Sequence, residues 1–182
     1  MSDIPNQRDS AKSHRKPTSA ARKSSGEINA SHGMRPFPKH PTDRVISLLG
    51  GLEVFHVLSP SDMDLVSMLR EGLPALSVDF LGANIQASKG ELAQMLGMSK
   101  RMLARRRLEG VLSFHESERL FRTARAIAQS EEAFGQLSSA LDWLNSPVIV
   151  LGGTTPISLL DTEIGGEIIL RILTNIVYGL PA

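Results

Sequence analysis

Two short helical segments joined by a tight turn occupy the sequence between Ser88 and Gly110, and they constrain the fold more than any other feature. The segment SKGELAQMLG starts with serine and glutamate three residues apart, a capping box, and Gly97 ends it. After the turn GMS, Ser99 caps a second segment, KRMLARRRLEG, which stops at Gly110. Two helices of these lengths around a three-residue turn predict a helix-turn-helix.

Helix start and stop signals recur along the rest of the chain. Ser59, Ser113, Ser130 and Thr162 are each predicted to begin a helix, the last one running to about residue 178. A wide apolar stripe in that last helix is expected to pack on the preceding helices. It consists of Ile164, Ile168, Ile172 and Ile176, with Ile169, Leu173 and Val177 beside them. No stretch alternates apolar and polar residues in the manner of a strand. We therefore predict an all-α fold, with a helix-turn-helix domain followed by a small helical domain.

Charge and composition divide the chain into three parts. Residues 1–42 are rich in Ser, Lys, Arg, His and Pro and have no apolar periodicity, so we predict a disordered basic tail. Residues 43–129 are predicted to form the helix-turn-helix domain and residues 130–182 the second domain. Between residues 98 and 125 there are eight basic residues against three acids, whereas from residue 130 onward six acids face only Arg171. This asymmetry indicates different partners for the two domains.

Several function classes are disfavoured by the sequence. The chain has no cysteine and its five histidines are scattered, so we expect no metal site, no cofactor and no catalytic residues. The motif LGGTTP lacks the lysine of a phosphate-binding loop and the spacing of a dinucleotide fingerprint, so its glycines are expected to permit a sharp turn. The apolar run at residues 164–177 is too short to cross a bilayer, and a secretory signal is not expected, which favours a soluble protein that does not bind membranes.

The second helix of the helix-turn-helix is the predicted DNA-binding element. It carries five basic residues within eight positions and no acid among them, and all five are expected to be exposed. Arginine and lysine grip phosphates, and residues at the start of such a helix reach base edges. The predicted DNA-binding residues are Ser99, Lys100, Arg101, Arg105, Arg106 and Arg107. The alternative interpretation is an ordinary helical hairpin with a solvated basic face.

A succession of short motifs points to a known family. The run GMSKRMLARRRLEGVLSFHESERLFRTARAIA is followed by W-L-x-x-P, L-G-G-x-x-P, L-L-D-T-E-x-G and a terminal Y-G, in that order. From about residue 88 to residue 182 the chain resembles the antitoxins of Res–Xre toxin–antitoxin modules, also called the Xre/MbcA/ParS toxin-binding family.

The resemblance implies a non-enzymatic antitoxin of a prokaryotic cytoplasm. Such a protein neutralises a Res-type toxin, an ADP-ribosyltransferase-like enzyme that consumes NAD, forms a homodimer, and represses its own operon by binding operator DNA. The toxin-binding residues implied by position are Trp143, Gly152, Gly153, Thr162, Glu163, Tyr178, Gly179, Leu180, Pro181 and Ala182. Gly179 is expected to release the apolar tail LPA from the last helix, so that the carboxylate of Ala182 enters the toxin's NAD pocket. The alternative is a stand-alone transcriptional regulator whose C-terminal domain serves only dimerisation.

Overall fold

The computed structural model describes residues 41–57 and 59–180. Over these residues the fold is all-α, as the sequence predicts, and it contains no strand, only two isolated β-bridges. The helices are α1 (Pro41–Leu48), α2 (Gly51–Phe55), α3 (Asp62–Glu71), α4 (Leu76–Ile85), α5 (Lys89–Met95), α6 (Lys100–Glu109), α7 (Phe114–Phe134), α8 (Leu137–Asn145) and α9 (Glu163–Tyr178). Short 3-10 helices lie at Ile149–Leu151 and Pro156–Leu159. The predicted basic tail lies outside the described residues, apart from its last two positions, which begin α1.

Four of the predicted helix starts are confirmed. Helices α5, α6, α7 and α9 begin directly after a serine or threonine whose side-chain oxygen accepts a backbone N–H from the first turn, at 3.1 to 3.5 Å. These capping residues are Ser88, Ser99, Ser113 and Thr162. The hydrogen bonds satisfy donors that would otherwise have no intrahelical partner.

Two predicted helix starts are wrong. Helix α3 is capped by Ser61 rather than Ser59, because Asp64 stands three residues after Ser61 and completes a capping box with it. Ser130 does not begin a helix, because it is buried inside α7 and its hydroxyl donates to the Ala126 carbonyl at 2.7 Å. A hydroxyl satisfied by its own helix lets α7 continue to Phe134.

Helix α7 lies at the centre of the described fold. It packs against α1, α3, α8 and α9, and its residues Leu120, Ala124 and Ile127 are fully buried. Small residues on α7, such as the alanines at 124, 126 and 128, leave room for neighbouring helices to approach. Both the helix-turn-helix and the C-terminal helices therefore depend on the same central helix.

The buried face of α9 differs from the predicted isoleucine stripe. Ile169 and Leu173 are buried, whereas Ile164 and Ile176 are exposed. The reason is the glycine pair at the start of α9, where a Cβ on Gly165 would overlap the Leu159 carbonyl oxygen. Close approach at this glycine turns the neighbouring face inward and leaves the isoleucine stripe at its edge.

No helix in the described parts of the chain is both long and apolar enough to span a membrane.

Candidate functional site

The turn between α5 and α6 is held from outside by an arginine of α7. The Nη1 of Arg119 donates to the Leu96 carbonyl at 2.8 Å, and the guanidinium lies against Gly97, where a Cβ would overlap it. Gly97 also has a φ of 60°, a conformation that favours glycine. Arg119 therefore caps the end of α5 and fixes the angle at which α6 follows. Sequence reasoning missed this role, because a basic residue on a long helix carries no signal of the carbonyl it meets.

Arg106 attaches α6 to the beginning of α7. Its guanidinium donates to the carboxylates of Glu116 and Glu109, both at 2.6 Å, and its side chain is only 20% exposed. The same Glu116 accepts the backbone N–H of Ser113 at 2.7 Å, so one carboxylate serves both the capping box and the ion pair. Charge-assisted hydrogen bonds of this kind are among the stronger polar contacts in proteins.

Arg107 attaches α6 to α4 through an ion pair with Asp79, and its side chain is 22% exposed. The expectation that all five basic residues of α6 are exposed is therefore wrong for Arg106 and Arg107. Both lie three or four residues from the buried Leu103, so they lie beside the face that packs on the rest of the fold. The ion pairs of Arg106 and Arg107 hold α6 against α7 and α4.

The remaining basic residues of α6 face solvent. Lys100 and Arg101 are exposed and have no ion-pair partner in the described part of the chain, and Arg105 is 63% exposed beside Glu109. The ammonium of Lys100 lies next to Gly90, which brings it close to the exposed Lys89 at the start of α5. We call Lys89, Lys100, Arg101 and Arg105 the basic face. Ser99, the other predicted residue, uses its hydroxyl as the cap of α6.

Trp143 on α8 is half-buried. Its ring lies 5.4 Å from the ring of Phe134 at the end of α7, and both rings border the hydrophobic core. Thr162 caps α9 by accepting the N–H of Gly165 at 3.1 Å. Trp143 and Thr162, which were both predicted to bind the partner, therefore stabilise the fold of the domain itself. Glu163, which follows Thr162, is exposed.

A tight turn lies between α8 and α9. The N–H of Val148 donates to the Thr154 carbonyl at 3.2 Å, and the 3-10 helix Ile149–Leu151 occupies the space between. Gly152 and Gly153 follow with φ of 65° and 81°, as the predicted sharp turn requires. The turn presents Ile149 and Val150 to solvent, which sequence reasoning did not single out.

The end of α9 is a second exposed region of the C-terminal part. Tyr178 is 73% exposed, and Leu180 after it is exposed as well. Gly179 ends the helix with a φ of 63°, and the N–H of Leu180 returns to the Asn175 carbonyl at 2.8 Å. Pro181 and Ala182, which were also predicted to bind the partner, lie outside the described residues.

Two known protein families match this chain, one over each half of the described residues. Residues 64–125 match the antitoxin Xre-like helix-turn-helix domain, and residues 129–179 match the antitoxin Xre/MbcA/ParS C-terminal toxin-binding domain. A protein named antitoxin Xre in Photorhabdus laumondii is 32% identical over 124 residues, which are 67% of this chain and 84% of that protein. Antitoxin Xre of Yersinia enterocolitica is 29% identical over 64% of this chain and 80% of its own length. Antitoxin Xre of Pseudomonas putida is 37% identical over 37% of this chain and 43% of its own length.

The two matched ranges meet within α7, between residues 125 and 129. The resemblance drawn from the sequence motifs is confirmed. The domain boundaries at residues 42 and 129 stay predictions.

We expect acid to destabilise the native chain more steeply than the variant Glu116→Gln. Burial raises the pKa of the Glu116 carboxyl, but hydrogen bonds from Ser113 and Arg106 outweigh it and hold the pKa below its ordinary value. The ionised group therefore stabilises the fold above its unfolded-state pKa and loses this contribution as the pH falls through its folded-state pKa. Glutamine keeps the capping geometry without the charge.

Urea unfolding of both proteins from neutral to acid pH measures this difference. The capping carboxylates of Asp64 and Glu91 also have lowered pKa values, but they are the same in both proteins and cancel in the comparison. Parallel stability curves would show that the ion pair between α6 and α7 contributes nothing.

Proposed function

This chain belongs to the antitoxin Xre family, with an Xre-type helix-turn-helix and a toxin-binding domain, and we propose that it neutralises a Res-type toxin and represses its own operon. The toxin of such a pair is an ADP-ribosyltransferase-like enzyme that consumes NAD. In this proposal the antitoxin acts by binding, and the catalytic activity belongs to the toxin. Its two activities use two surfaces of the fold, one on α6 and one in the C-terminal part.

The DNA-binding part of the proposal rests on one observation: some basic residues of α6 form ion pairs within the fold, and others are exposed to solvent. Arg106 and Arg107 are held in ion pairs that fix the helix, while Lys100, Arg101 and Arg105 remain exposed. A recognition helix needs both properties, because base contacts require a fixed helix and phosphate contacts require available charge. In this proposal Arg101, in the first turn, reads base edges, and the rest of the basic face contacts phosphates.

We propose that the operator-bound form is a homodimer joined beside the end of α6. Four exposed apolar residues belong to the end of α6 and the segments that adjoin it, namely Leu76, Leu108, Val111 and Phe114. The backbone holds them together, since the N–H of Ala75 donates to the Gly110 carbonyl at 2.9 Å. We call these four residues the apolar patch. It lies at the opposite end of α6 from Lys100, so a twofold pairing there leaves both recognition helices directed at the DNA.

Charges beside the apolar patch suit a second copy of the chain. Arg105 and Glu109 form an ion pair on one side of it, and His115 lies 4.0 Å from Glu118 on another. Both signs of charge are therefore present, which permits opposite charges to meet across a twofold axis.

The C-terminal part supplies the proposed toxin-binding surface. Its acids at positions 142, 161, 163 and 167 are exposed and have no ion-pair partner in the described residues. A pocket that holds the phosphates of NAD is electropositive, so an acidic partner complements it. The exposed end of α9 stops at Gly179, whose φ of 63° ends the helix, and the last residues of the sequence follow it. We propose that these last residues enter the toxin's NAD pocket.

Replacing Lys100, Arg101 and Arg105 together by alanine is expected to weaken operator binding and to reduce its salt dependence. Removing one cation that binds a phosphate lowers the slope of log affinity against log salt by about one unit, because fewer counterions are released. Arg101→Ala alone should mainly reduce the preference for the operator over unrelated DNA. Salt-titrated gel shifts measure both effects, and Arg171→Ala, an exposed cation on α9, is the matched control. Unchanged binding by the triple variant would remove the basic face from the DNA interface.

The double variant Leu108→Ser, Phe114→Ser is expected to sediment as a monomer where the native chain sediments as a dimer. Leu108 is 90% exposed, so its replacement takes apolar surface out of the interface without opening a cavity in the core. The control is Met63→Ser on α3, a 70% exposed apolar residue away from the patch. A double variant that remains dimeric would place the dimer interface elsewhere.

Deleting residues 179–182 is expected to impair neutralisation while fold and operator binding stay intact. These residues follow the last helix, so their loss removes no buried side chain of the described core. Co-expression with the toxin, followed by cell growth and cellular NAD, measures neutralisation, and Leu180→Ser keeps the length as a matched variant. Full protection by the shortened chain would move neutralisation to other parts of the surface. A full-length chain that binds operator DNA but never binds the toxin would instead favour the stand-alone regulator.

A further inference from the structure

We propose that Ile149 and Val150 form an anchor that inserts into an apolar pocket on the toxin. We call these two residues the apolar tip. This inference rests on the proposed function and names the part of the C-terminal surface that provides most of the binding energy.

The apolar tip is exposed to an unusual degree. Ile149 is 94% exposed, the highest value among large apolar side chains of the described residues, and Val150 next to it is 58% exposed. Burying a side chain of this size in a partner is favourable, and this contribution is forgone while the side chain stays in water. An apolar pair of this kind fits a protein interface, where a few such anchors dominate affinity.

The turn beneath the tip is rigidly built. The N–H groups of Leu151 and Gly153 both donate to the Val148 carbonyl at 3.0 Å, and the N–H of Gly152 donates to the Ile149 carbonyl at 2.9 Å. Leu151 packs against the hydrophobic core, which fixes the turn to the rest of the domain. A side chain presented by a preorganised turn loses little conformational entropy when it binds.

The glycine pair serves this presentation. Both glycines have positive φ, and a Cβ at either of them would meet no atom within 4 Å. Close packing of neighbouring protein atoms therefore does not explain them. Their conformation closes the turn in a shape that other residues adopt only with strain, and this closure directs Ile149 outward.

The occupant that fits the tip is the toxin. The tip lies inside the range, residues 129–179, that matches a toxin-binding domain. The acids of this part of the chain disfavour DNA, so the expected partner surface is an apolar pocket bordered by basic groups. A second copy of this chain carries the same acids, which repel one another across such a contact.

Ile149→Ser is the variant that tests the anchor, measured by titration of the full chain with the purified Res-type toxin of the same operon. We expect toxin affinity to fall about 30-fold or more, the loss typical of a dominant interface residue. Thermal unfolding and operator binding should not change, because Ile149 contacts little of its own fold. Met63→Ser, an exposed apolar residue of α3, is the matched control and should bind the toxin like the native chain.

Gly153→Ala tests the rigidity of the turn separately. The methyl group of alanine has space there, but alanine disfavours the positive φ of this position. Because Ile149 and Val150 are still present in this variant, we expect a smaller loss of toxin affinity than for Ile149→Ser. Native affinity in Ile149→Ser would overturn the anchor and leave the proposed function standing. A native chain that fails to bind the toxin would overturn both. If Ile149→Ser changed the sedimentation of the antitoxin in the absence of toxin, the apolar tip would contact a second copy of the chain. This outcome would overturn the proposal.

Discussion

The burial of α7 on several sides is the constraint on which the rest of the structure depends. Its apolar residues face α1 and α3 on the helix-turn-helix side and α8 and α9 on the C-terminal side. Alanine at three buried positions keeps the neighbouring helices close, and hydroxyls that are satisfied within the helix allow polar residues in the same core. Neither half of the described chain has an apolar core that is independent of this helix.

Polar contacts made by α7 fix the positions of the helices that carry the candidate functional surfaces. Toward the helix-turn-helix, Glu116 holds α6 through Arg106, and Arg119 holds the turn before it. Toward the C-terminus, the amide of Gln129 donates to the Thr174 hydroxyl of α9 at 2.8 Å. Basic residues in this protein therefore have two roles that sequence composition does not separate. Some are exposed to solvent, and others form ion pairs or hydrogen bonds that hold helices together.

The sequence predicts local structure well and orientation poorly. Helix starts at Ser88, Ser99 and Thr162 follow from short-range hydrogen bonds that the sequence states directly, and the motifs of the C-terminal part identify the family. The pairing of Arg106 with Glu116 and the rotation of α9 depend instead on which helices meet, and this is decided by tertiary packing. The exposure of Ile149 belongs to the same category, because a pattern of apolar residues does not reveal which of them a turn holds in solvent.

The continuity of α7 has a geometric consequence for the assembled complex. The region between the two matched ranges is helical rather than a linker, because residues 125–129 lie inside α7. One additional residue in this region would rotate everything after it by about 100° and advance it by about 1.5 Å. In the proposed complex, the direction in which a bound toxin projects from the DNA is thus set by helical phase, that is, by the length of a single helix.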